Sequence, residues 1–129
     1  MLSTKQKTDI CNFAYIWCIA NLKTSKYHEG IPRIFIRSKK TDSFLKGYYK
    51  EGKNLITVYL QNHISSLDLC ETIIHEWKHY QQNIASMYDK YEVVYRRKGR
   101  NHPYEITAEN YAKKHGKKCN NWVRLMTDK

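Results

Sequence analysis

The stretch HEWKH, His75 to His79, sets two imidazoles four residues apart with a carboxylate directly after the first. On a helix that spacing brings both rings to one face, where they can grip a single metal ion from a rigid support. Glu76 lies about 100° further round, beside the pair, and can reach a metal-bound water without itself ligating. Zinc is the natural ion for neutral imidazole nitrogens and a carboxylate at an open hydrolytic site. On a helical projection His75, His79 and Gln82 share one narrow stripe, while Cys70, Ile73, Trp77, Tyr80 and Ile84 cluster opposite. Trp77 is therefore expected to anchor this helix to the core, with both imidazoles facing away. The competing reading is a polar helix face that simply meets water.

The third ligand decides between them, because a catalytic zinc centre takes three protein ligands and keeps one position open. Downstream, Glu105 and Glu109 stand one turn apart, with Ala108 and Ala112 on the same stripe. Small side chains let such a helix approach the His75/His79 helix closely, and its carboxylates then meet the imidazoles. The helix dipole alone favours an acid near a helix start, which accounts for Glu105 but leaves the alanines unexplained.

These residues need elements to carry them. With 129 residues, the chain makes one domain, residues 1–129, around one modest core. Hydrophobic residues at 41% and aromatics at 13% exclude a disordered chain. A first helix from about Thr8 to Leu22, capped by Thr8 or Ser3, is apolar over most of its circumference and is expected to be central. IPRIFIR (31–37) alternates as a strand does, and FLKGYYKEGKNLITVYL (44–60) reads as two strands around a turn at Glu51 to Asn54. Ile56, Val58 and Leu60 would face the core of this small sheet, antiparallel in part. The motif helix is expected from Ser65 or Ser66 to about Met87. The next starts at Pro103, capped by Asn101 or His102, and stops at Gly116, with a short apolar element (Trp122, Val123, Leu125, Met126) after it. The fold class is α+β. Cys11, Cys18, Cys70 and Cys119 form no C-x-x-C pair, and Cys11 and Cys18 read as small buried apolar residues.

Charge speaks to partners. The net charge is +11, from 23 basic against 12 acidic side chains, which favours a nucleic acid, an anionic surface or an acidic partner. Arg96, Arg97, Lys98 and Arg100 concentrate it on the link between the two ligand helices, where a solvated loop is the preferred reading and selecting acidic substrates or holding phosphates the functional one. Tyr88, Tyr91 and Tyr95 nearby are compatible with base stacking and equally with packing. The longest apolar run, Phe13 to Ala20, is too short for a bilayer, and no signal peptide is seen, so a cytoplasmic location is expected. The abundance of Lys, Asn, Tyr and Ile suits an AT-rich genome, such as that of a virus or phage.

H-E-x-x-H followed by E-x-x-A on a second helix resembles the zincin-like metallopeptidases of the glutamate-ligand (gluzincin) type. Nearest are the small IrrE-like and ImmA-like proteases and, more loosely, the SprT-like ones; the resemblance covers residues 45 to 115. It implies a minimal zincin-like domain: an N-terminal helix, a small three-stranded twisted sheet, the H-E-x-x-H helix, and a second helix bringing the third ligand. It further implies His75, His79 and Glu105 as ligands of Zn²⁺ and Glu76 as general base. Glu109 would support a ligand histidine from behind, as an acidic residue does in thermolysin-like enzymes, with Glu109 as the ligand itself being the alternative. The chain departs from the family in its short tail, in lacking a helix-turn-helix module, and in lacking the third ligand histidine of SprT-like members.

The expected function is a zinc-dependent metallopeptidase that cleaves a peptide or protein substrate, with the zinc-bound water activated by Glu76. Tyr104 and His102 are the candidates for a second oxyanion donor, although a helix cap is the preferred role for His102. The strand at 55–60 is expected to pair with an extended substrate. The alternative is a weakly active or inactive zincin-fold binding protein associated with nucleic acid or an acidic partner.

Overall fold

The computed structural model describes residues 1–39, 44–83 and 102–128. Among the described residues, three helices and a three-stranded mixed sheet make an α+β fold, in the order α1 (Thr4–Asn21), β1 (Arg33–Arg37), β2 (Gly47–Lys50), β3 (Leu55–Tyr59), α2 (Ser66–Gln81) and α3 (Pro103–Thr127). Short 3-10 turns, Glu51–Lys53 and Leu60–Asn62, flank β3.

Ser3 starts α1 through a capping box with Gln6, one turn earlier than the apolar periodicity suggests. The helix buries Ile10, Cys11, Ala14, Trp17 and Cys18 but leaves Ile16 and Ile19 exposed, so it is covered on fewer sides than its composition implies. The strand order is β1-β3-β2, with β1 parallel and β2 antiparallel to β3. The hairpin turns at the expected place, with Asn54 in the left-handed region at φ 47°, where asparagine is better tolerated than most residues. Ile56, Val58 and Leu60 all reach the core.

Helix α2 starts where Ser65 Oγ accepts the Asp68 N–H, and crosses the core face of β2 and β3. Gly47 allows the close approach, since a Cβ there would sit 2.7 Å from the Thr57 carbonyl oxygen and 2.9 Å from Thr72 Cγ2. Trp77 is fully buried, its indole N–H donating to the Lys23 carbonyl at 3.0 Å, which is the expected anchor. The helix ends at Gln81, short of Met87, because Gln82 turns to extended backbone (ψ 150°). Residue 84 and the rest of that expected extension lie outside the described residues.

Helix α3 differs most from expectation. Gly116 does not stop it; it runs unbroken to Thr127, and the short final element is its last two turns. Ala108, Ala112, Gly116, Cys119 and Val123 form its buried stripe, and a Cβ on Gly116 would lie 2.7 Å from Glu71 Cγ on α2. The glycine is thus a helix–helix contact. All four cysteines are free and buried, and burial pushes the Cys11 thiol up to about 12. No described helix is long and apolar enough to cross a membrane.

Candidate metal centre

Helices α2 and α3 pack closely through the small residues of α3, which brings Glu105, in the first turn of α3, over the histidine face of α2. His102 caps α3, its Nδ1 accepting the Tyr104 N–H at 3.4 Å, and Pro103 occupies the first turn, where no N–H is needed. One oxygen of Glu105 then meets both imidazoles. It lies 3.3 Å from His75 Nε2 and contacts His79 Nε2, while the two Nε2 atoms are 3.2 Å apart. Among the described residues, His75, His79 and Glu105 form the one group of three such side chains whose ligand atoms converge.

The chemistry of this donor set can be worked out from its neighbours. Gln82 Nε2 donates to the Tyr104 carbonyl at 3.1 Å. A carbonyl only accepts, so the Gln82 amide is fixed with its oxygen toward His79 Nδ1, 2.8 Å away. That oxygen in turn requires a proton on Nδ1. With Nδ1 as its only protonated nitrogen, His79 would point the lone pair of Nε2 at a carboxylate oxygen and at a second imidazole nitrogen. Lone pairs converging in this way repel unless a proton or a cation lies among them. A tetrahedral zinc with bonds near 2.0–2.1 Å separates its ligand atoms by about 3.3 Å; two spacings here, 3.2 and 3.3 Å, match that, while the Glu105–His79 contact is shorter and opens when an ion enters. The residues present suit the ion.

In the metal-free chain the charges compensate one another. Burial opposes ionisation of Glu105, yet hydrogen bonds from His75 and His79, with their positive charge, outweigh it and hold the carboxyl at about 2. Glu76 is 6% exposed, and burial pushes its carboxyl from 4.5 up to about 7; His79 and the Tyr49 backbone N–H oppose that rise, while the Glu105 carboxylate adds to it. The Tyr49 contact follows from register. Tyr59 N–H donates to the Lys46 carbonyl, so by alternation residues 47 and 49 direct their N–H groups to the outer edge of β2, toward α2.

The other expected residues fall in different places. Glu109 is exposed, and among the described residues no hydrogen bond joins it to His75; the histidine support found is Gln82 on His79. Tyr104 packs its ring edge-on against His79 with centroids 5.4 Å apart, so it stays beside the site. His102 is fully buried as the cap. Strand β3 cannot take an extended peptide, since β1 and β2 pair with its two edges; β2 is the edge strand beside Glu76. Arg96, Arg97, Lys98 and Arg100 lie outside the described residues. His63 is a buried histidine satisfied between the Tyr59 carbonyl and the Thr72 hydroxyl.

Gln82 was legible only as a member of the histidine stripe; that it leaves the helix and turns back was not. Residues that orient a ligand histidine typically change metal affinity 10–100-fold. Gln82→Met keeps the volume and removes both hydrogen bonds, and is expected to weaken zinc by about 10–100-fold in competition with a coloured chelator. Unchanged affinity would mean that Nδ1 needs no partner.

No family model matches this chain, and neither a curated protein nor a solved structure matches it.

Proposed function

We propose that this chain is a zinc-dependent metallopeptidase of zincin-like type, hydrolysing a peptide bond in an extended peptide or protein. The observation that carries the reading is the convergence of His75 Nε2, His79 Nε2 and one Glu105 oxygen, with the His79 ring held at Nδ1 by Gln82. These three residues would hold the ion. When bound, zinc supplies Lewis acidity, acidifying a water and polarising the scissile carbonyl.

The remaining work falls to the chain. Glu76 is the base, placed beside the ligand pair and held by the Tyr49 N–H. A carboxyl that titrates near neutrality can take a proton from the attacking water and return it to the leaving amine. Glu76 is what separates a hydrolase from a closed structural site, which would also need a fourth protein ligand; among the described residues the convergent set has three. The site is open on one side, with His75 20% and Glu105 27% exposed against 7% for His79. Apart from the Tyr49 N–H that Glu76 holds, the outer edge of β2 is the element an extended substrate would pair with. Tyr104 is the candidate second donor to the developing oxyanion.

The test is cleavage of an unfolded protein mixture by the zinc-loaded chain, read by mass spectrometry of new N-termini. Cleavage should stop with a zinc chelator and return on adding zinc. Cleavage that persists in chelator would contradict the proposal.

A further inference from the structure

The sheet has a second face that the metal centre does not use. Ile34, Ile36, Ile56, Val58 and Tyr49 point into the core, so the alternate residues of each strand point the other way. On that outer face β1 carries Phe35 between Arg33 and Arg37, β3 carries Tyr59, and β2 carries Tyr48 and Lys50. Phe35 is 52% and Tyr48 37% exposed, unusual for large aromatics on a sheet.

The side chains form a continuous row. The Arg37 guanidinium lies 5.8 Å from the Tyr59 ring centre and 6.0 Å from that of Phe35. Tyr59 and Tyr48 rings are 6.2 Å apart and tilted by only 32°. Thr57, 1% exposed, forms the floor between Phe35 and Tyr48, its partners across the strands. Arg33 and Lys50 stand at the far end, in register with Leu55. None of the strand residues on this face is acidic.

We propose that this outer sheet face binds a single-stranded nucleic acid, with bases stacked on Phe35, Tyr59 and Tyr48 and phosphates paired with Arg33, Arg37 and Lys50. Flat exposed rings interleaved with cations match the two features common to every single strand, base faces and a phosphate backbone. Charge selects this occupant over a second copy of the chain. A copy docked here would bring the same cations and the same net charge of +11 against themselves, whereas a polyanion neutralises them. The face lies across the sheet from α2, so this binding is independent of zinc.

The experiment is fluorescence anisotropy with a labelled short oligothymidylate and a duplex of equal length, using the full chain with zinc and with chelator. The single strand should bind more tightly than the duplex, with or without zinc, and more weakly as salt rises. Phe35→Ser and Tyr48→Ser, at exposed positions, should each weaken it by about tenfold, as expected for a lost base stack. Arg37→Gln should reduce the salt slope by about one phosphate contact. Circular dichroism of each variant separates lost binding from lost folding. Absent binding, duplex bound as tightly as single strand, or affinity indifferent to both rings would overturn the proposal. So would a dimer of the free chain that Phe35→Ser dissociates.

Discussion

Glu76→Gln is expected to slow peptide hydrolysis by about 10²–10⁴-fold, the contribution of a positioned general base, with zinc content unchanged. The amide keeps an oxygen for the Tyr49 N–H and nearly the same shape, but it cannot take a proton. A second consequence is separable from activity. In the metal-free chain burial raises this carboxyl from 4.5 to about 7, so the folded state retains a proton that the unfolded state has released. The stability due to the neutral carboxyl is complete below about pH 4.5 and is lost as pH rises through 7. The gap corresponds to about 3 kcal/mol. Glutamine does not ionise, so metal-free Glu76→Gln should exceed the parent in stability by up to about 3 kcal/mol near pH 8 and match it near pH 4.5. Urea unfolding in chelator at both pH values checks this. A variant that keeps zinc and still cleaves would remove Glu76 from the mechanism.

Glu105→Ala is expected to abolish zinc retention through desalting, because two imidazoles on one helix leave the ion with a single protein element. Glu109→Ala, at an exposed position, is expected to retain the metal. The acid limb of stability offers a metal-free readout. Although burial acts against it, the pairing with His75 and His79 depresses the Glu105 carboxyl from 4.5 to about 2. Its stabilising contribution is present above pH 4.5 and is lost as pH falls toward 2. The parent should therefore lose more stability than Glu105→Ala across that window. Parallel acid limbs, or zinc lost with Glu109 and kept with Glu105, would reverse the assignment.

The parts of this molecule that follow from side-chain period were readable in the sequence. Trp77 and Tyr80 face the core while His75 and His79 face away, because the helical repeat allows nothing else once Trp77 is buried. Ala108 and Ala112 signalled close helix packing, and the packing brought Glu105 to the imidazoles. What misled was local punctuation judged without its tertiary partner. Gly116 looks like a helix stop, but in α3 it makes room for Glu71 of α2, and interhelical packing carries the helix through. Ser3, one of the two caps that the sequence offers, starts α1 because Gln6 completes a reciprocal box with it. Strand order was out of reach from periodicity: β3 alternates well but sits centrally, and β2 takes the edge beside Glu76. The Tyr49 N–H that holds Glu76 is backbone, so no side-chain pattern announces it.

The central claim is that His75, His79 and Glu105 form one hydrolytic metal site, and metal content tests it most directly. Elemental analysis of the purified full chain, grown with ample zinc and freed of loosely bound ions, should find about one zinc per chain. Glu105→Ala prepared in parallel should carry almost none. A parent chain without zinc, or one whose zinc survives the loss of Glu105, would contradict the account.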